Sequence, residues 1–67
     1  MKAIRKYREL KNLSQAELAA LCNVVPSTVS MWETGARMPD LAMLKTLAKI
    51  FSCSADDLLV DIKEKGV

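Results

Sequence analysis

The chain has 67 residues, about half of them apolar, with only two Gly and two Pro. That suits one small packed helical domain over residues 1–67 and argues against a disordered segment. The net charge of +2 is too small to establish a nucleic-acid partner; with no C-x-x-C and no His, the usual zinc patterns and His-based catalysis are excluded.

No apolar run reaches the roughly 18 residues of a membrane span. The opening MKAIRKYREL lacks the apolar region of a secretory signal, so a cytoplasmic location is expected. Cys22 and Cys53 stand alone and read as buried free thiols, with a disulfide as the minor alternative. A core of this size rarely supplies more than about 3–5 kcal/mol of net stability.

Helix 1 is predicted over about 2–11. Ile4, Tyr7 and Lys11 share a face, with Ala3 and Leu10 at its edges and Arg8 beside Tyr7. Asn12 is placed to end it in a left-handed conformation. Leu13 is the apolar residue before the next cap. Helix 2 covers about 15–22: Ser14 and Glu17 form an S-x-x-E capping box, and Leu18, Ala19 and Cys22 face one way. Asn23 ends that helix and Val24-Val25 connect. Pro26 then suits the first position of helix 3, about 26–33, on which Val29 and Trp32 point inward. Two short helices joined by a tight turn, over about 14–34, are the layout that places a helix in the DNA major groove.

After the loop TGARMP, Asp40 caps helix 4, with a stripe of Leu41, Leu44, Leu47, Ala48 and Phe51. Ser54 and Asp57 form a second capping box for helix 5, anchored by Leu58 and Leu59 and running to about Lys63. No stretch alternates like a strand. The expected fold is all-α, five helices around one core.

Charge is unevenly spread. Residues 1–37 carry six basic and three acidic groups, and residues 38–67 carry four basic and five acidic. The half with the two-helix unit is the basic one, as a phosphate-facing surface should be.

These residues together resemble the phage-repressor domains, the Cro/cI-type helix-turn-helix family of the XRE class. Arg8 matches that family's Arg near the end of helix 1. Leu13-Ser14-Gln15 and Glu17-Leu18-Ala19 match its LSQ-x-E-L-A segment, and Val29-Ser30, Trp32-Glu33 and Gly35 match its I-S-x-W-E-x-G segment. Pro39, Leu44, Ala48, Ser54 and Leu58-Leu59 follow its downstream pattern, so the likeness runs from about Ile4 to Leu59. Asn12, Asn23 and Ser52 depart from it, standing where the family often has Gly. Pro26 replaces a polar residue that touches DNA in many members. Val25 replaces a Ser or Thr cap, a loss typically of about 1 kcal/mol.

The resemblance implies a lambda-repressor-like domain that binds duplex DNA. Base contacts fall to Pro26, Ser27, Thr28 and Met31, with hydroxyls at base edges and Met31 against thymine methyls. Helix 3 has no Lys, Arg, Asn or Gln, so bidentate base contacts are excluded from it. Phosphate contacts fall to Gln15, Ser30, Arg37 and Lys11. Arg8 and Glu33 are expected to form an internal ion pair, and Trp32 to seal helix 3 against helices 1 and 4.

Ile50, Val60 and Ile62 lie off the core stripe and suggest a self-association surface. Family members bind two-fold operators as dimers, with half-sites about 34 Å apart. The implied function is transcriptional regulation as a homodimeric repressor, with no enzyme activity, cofactor, membrane contact or small-molecule substrate. A protein-interaction module of antitoxin type, with DNA binding secondary, is the alternative.

Overall fold

A computed structural model describes residues 1–60 of the chain. Five helices follow one another: α1 (Lys2–Leu10), α2 (Gln15–Cys22), α3 (Pro26–Thr34), α4 (Leu41–Phe51) and α5 (Ala55–Leu58). The described residues contain no strand.

The helix starts are set by local chemistry. At α2 the Ser14 hydroxyl accepts from the Glu17 N–H at 3.0 Å while the Ser14 N–H donates to Glu17 Oε1 at 2.8 Å. Ser54 and Asp57 repeat the reciprocal pair at α5, both at 3.1 Å. Asp40 accepts from the Met43 N–H at 2.8 Å and caps α4. Helix α3 has Val25 as its cap residue, with no side-chain hydrogen bond, and Pro26 in its first turn.

Three helix ends share one device. Asn12, Asn23 and Ser52 have φ near +57°, +58° and +55°. Each left-handed residue turns the chain so that the next N–H reaches back over it: Leu13 to Arg8, Val24 to Ala19, and Cys53 to Ala48, at 2.9–3.0 Å. The residue that reaches back is in each case half-buried against the core, the apolar contact that accompanies this kind of helix end. Cys53 is therefore only partly covered, whereas Cys22 is buried; both are free thiols.

Ile4, Leu18, Val29, Leu47 and Leu58, one from each helix, are fully buried and form the centre. Trp32 and Phe51 close around them, and Tyr7 stacks on Phe51 with ring centroids 5.8 Å apart. Helix α3 packs on both α1 and α2, so the outward face of the two-helix unit is held from behind. The Met1 ammonium donates to the Trp32 carbonyl at 2.6 Å. That carbonyl lies in the last turn of α3, where the helix has no partner for it and a positive charge is favoured.

Three expectations are corrected. Leu10 and Leu41 are each 66% exposed. Leu10 lies roughly 120° round the helix from Ile4, and Leu41 lies about a quarter turn from the line through Leu44, Leu47 and Phe51. Ile50, assigned to a free surface, is half-buried and packed on the core. Helix α5 is a single turn with Leu59 as its C-cap. Its expected run to Lys63, and Ile62, fall outside the described residues.

Candidate nucleic-acid interface

Burial sorts the side chains of α3. Val29 and Trp32 are buried, at 0% and 4% exposure. Helical geometry puts Ser27, Ser30, Met31 and Thr34 on the opposite side. Ser27 and Pro26 are exposed; Thr28, Ser30 and Met31 are half-buried. Thr34 shares this outward face and was missed from the sequence. Its hydroxyl turns back to donate to the Met31 carbonyl at 3.3 Å.

That same carbonyl organises the loop after the helix. The N–H groups of Gly35 and Arg37 both donate to it, at 3.0 and 3.2 Å. Gly35 makes the turn with φ +88°, a conformation costly for a residue with a Cβ. The exposed Arg37 is thereby fixed just beyond the end of α3. Lys11, also exposed, lies past the end of α1.

Behind this face, Arg8 and Glu33 meet. Arg8 Nε donates to Glu33 Oε2 at 2.7 Å and Nη2 to Oε1 at 3.4 Å, with side chains only 12% and 7% exposed. The remaining guanidinium nitrogen, Nη1, donates to the Leu13 carbonyl at 2.8 Å. The hydrogen bond to the carboxylate raises the Arg8 pKa above its ordinary value, against the opposing effect of burial. Gln15, the first residue of α2, joins the cluster: its Nε2 donates to Glu33 Oε1 at 3.1 Å. This contact spans 18 positions in the chain and no local pattern announces it.

The outward side of α3 is a neutral, hydroxyl- and methyl-bearing helix face. Gln15 stands at the N-terminus of α2, where backbone N–H groups and the helix dipole favour an anion.

Of the association residues, Val60 is 47% exposed and Ile50 mostly covered. Among the described residues no His, Cys, Asp and Glu cluster could hold a metal ion, and no helix is long and apolar enough to cross a membrane.

A family model described as "Helix-turn-helix" matches residues 4–58. The chain is 38% identical over 56 residues to the HTH-type transcriptional activator BcrR of Enterococcus faecalis, covering 84% of this chain and 28% of that protein. It is 36% identical over 62 residues to the HTH-type transcriptional regulator AnsR of Bacillus subtilis, covering 92% and 53%. An uncharacterized HTH-type transcriptional regulator of Archaeoglobus fulgidus is 44% identical over 43 residues, covering 64% and 19%. The chain spans about half the length of these curated relatives, or less. No solved structure matches.

Proposed function

The chain belongs to the Cro/cI-type helix-turn-helix family of transcriptional regulators, and on that premise we propose that it binds duplex DNA sequence-specifically through α3. The observation that carries this is the split of α3 into a buried face, Val29 and Trp32, and an outward face centred on Ser27 and Met31. A helix held from behind by α1 and α2 can enter the major groove as a rigid body.

Affinity and selectivity come from different residues. Arg37, Gln15, Ser30 and Lys11 grip phosphates and fix the register. Pro26, Ser27, Thr28 and Met31 meet base edges and thymine methyls, and the shape of the DNA adds to their discrimination. The protein binds a two-fold site as a homodimer, with the exposed Val60 at the contact. It acts as a repressor, because occupying a promoter suffices to block transcription, whereas activation needs a further productive contact. A relative carries the name of an activator, so the direction of regulation needs its own assay, a reporter with the selected site placed over the promoter.

Selection of bound duplexes from a random pool, with sedimentation of the complex, tests the reading. The enriched motif should be palindromic and the complex contain two chains. Arg37→Ala should weaken binding equally on all sequences and lower the salt slope by about 1 per chain, about 2 for the two-chain complex. Ser27→Ala and Met31→Ala should keep the slope and relax one or two base positions, at a cost near or below about 1–3 kcal/mol. If both leave the motif unchanged while a change on α1 such as Lys6→Ala alters it, α3 is not the reading element.

A further inference from the structure

We infer that Glu33 is a positioning residue for DNA binding: it holds the Gln15 amide so that the second N–H of that amide faces the phosphate. This rests on the DNA-binding reading above. The Glu33 carboxylate comes from α3 and is clamped by Arg8 of α1 through Oε2 at 2.7 Å and Oε1 at 3.4 Å. Its Oε1 also accepts from Gln15 Nε2 at 3.1 Å, at the start of α2. Three helices therefore meet at one carboxylate.

An amide nitrogen carries two N–H donors. One is spent on Glu33, which fixes the plane of the group and leaves the other for an external acceptor. Without Glu33, Gln15 would be a long side chain at a helix end, and a phosphate would have to order it on binding. With Glu33 in place, that ordering is complete before DNA arrives. A bare carboxylate so near a phosphate would repel it. The guanidinium of Arg8 compensates that charge, and its third contact, to the Leu13 carbonyl at 2.8 Å, ties it to the chain just ahead of α2. Arg8 thus supports DNA binding without touching DNA.

A double-mutant cycle on duplex affinity tests this, using the pool-selected site. Gln15→Ala in the wild-type background should weaken binding about tenfold per half-site, the scale of one hydrogen bond to a charged group, and leave the salt slope unchanged because Gln is uncharged. In the Glu33→Ala background the same change should cost about twofold or less. Removing the Glu33 charge affects both backgrounds alike and cancels from the comparison. In the Glu33→Gln background, which keeps an oxygen acceptor, the Gln15→Ala penalty should return toward tenfold.

A tenfold penalty in all three backgrounds would overturn the positioning role and leave the DNA reading intact. Failure of the wild-type chain to bind any duplex would remove both. Should Glu33→Ala not fold, 15N relaxation of the Gln15 side-chain amide in the free wild-type protein decides the matter. The amide should be about as rigid as the backbone; mobility like that of the exposed Asn12 amide would refute the inference.

Discussion

Replacing Glu33 by Gln removes the charge from the most enclosed ion pair of the described residues. Two features set the magnitude. The side chains are 12% and 7% exposed, so solvent screens the pair less than at an open surface. The geometry is good, with a 2.7 Å contact and a further Arg8 bond to the Leu13 carbonyl. Breaking a fully buried pair costs about 3–5 kcal/mol, and breaking an exposed one less than about 1. This pair lies between, and Gln can still accept from Arg8 and Gln15, so a loss of about 2 kcal/mol is expected. For a domain of this size that lowers Tm by roughly 8–16 °C. The internal control is Arg5–Glu9, a 3.4 Å pair one helical turn apart with side chains 66% and 57% exposed. Glu9→Gln should shift Tm by no more than about 4 °C. Thermal melts followed by circular dichroism, at low and high salt, measure both. A Glu33→Gln melt within about 2 °C of wild type, or equal to the Glu9→Gln shift, would refute the reasoning.

Three further outcomes are expected. Ser52→Gly should raise Tm by about 3–6 °C, because the left-handed φ of +55° penalises a residue with a Cβ, and the position is exposed. The Ser14 N–H and hydroxyl hold the Glu17 pKa below the usual carboxylate value. Its folded pKa is therefore the lower one: its contribution is full above the unfolded carboxylate pKa and is lost as pH falls through the folded value. Glu17→Gln should flatten that part of the acid stability profile, read by melts across pH. Burial raises the thiol pKa of both cysteines, and Cys22 is the more enclosed. Under native conditions iodoacetamide should modify Cys53 before Cys22, as peptide mass spectrometry would show.

The sequence announces what local chemistry decides. S-x-x-E at Ser14, S-x-x-D at Ser54 and Asn at positions 12 and 23 carry their own hydrogen-bonding instructions within six residues, and these helix ends fall where expected. Spacing finds the buried face of α3 because Val29 and Trp32 are three apart. It cannot tell which apolar edge of a helix finds a neighbour, and so it misassigns Leu10, Leu41 and Ile50. The Arg8–Glu33 contact links residues 25 apart and was reached only through family resemblance. The bond from Gln15 to Glu33 was not reached at all, since it depends on how α2 packs on α3.

That bond changes how mutational data here must be interpreted. Arg37 is exposed on a loop, so its loss should move stability by no more than about 0.5 kcal/mol and any change in DNA affinity reports the interface. Glu33 is different. It joins α1, α2 and α3 and also holds the Gln15 amide that we propose meets a phosphate, so a drop in affinity after its removal mixes unseating of α3 with loss of Gln15 orientation. Affinity measured well below the melting temperature of each variant suppresses the contribution from global unfolding. The remaining unseating of α3 should alter the base preferences set by Ser27 and Met31, whereas misorientation of Gln15 should weaken all duplexes equally. Motif selection on the Glu33 variants therefore separates two effects that affinity alone would merge.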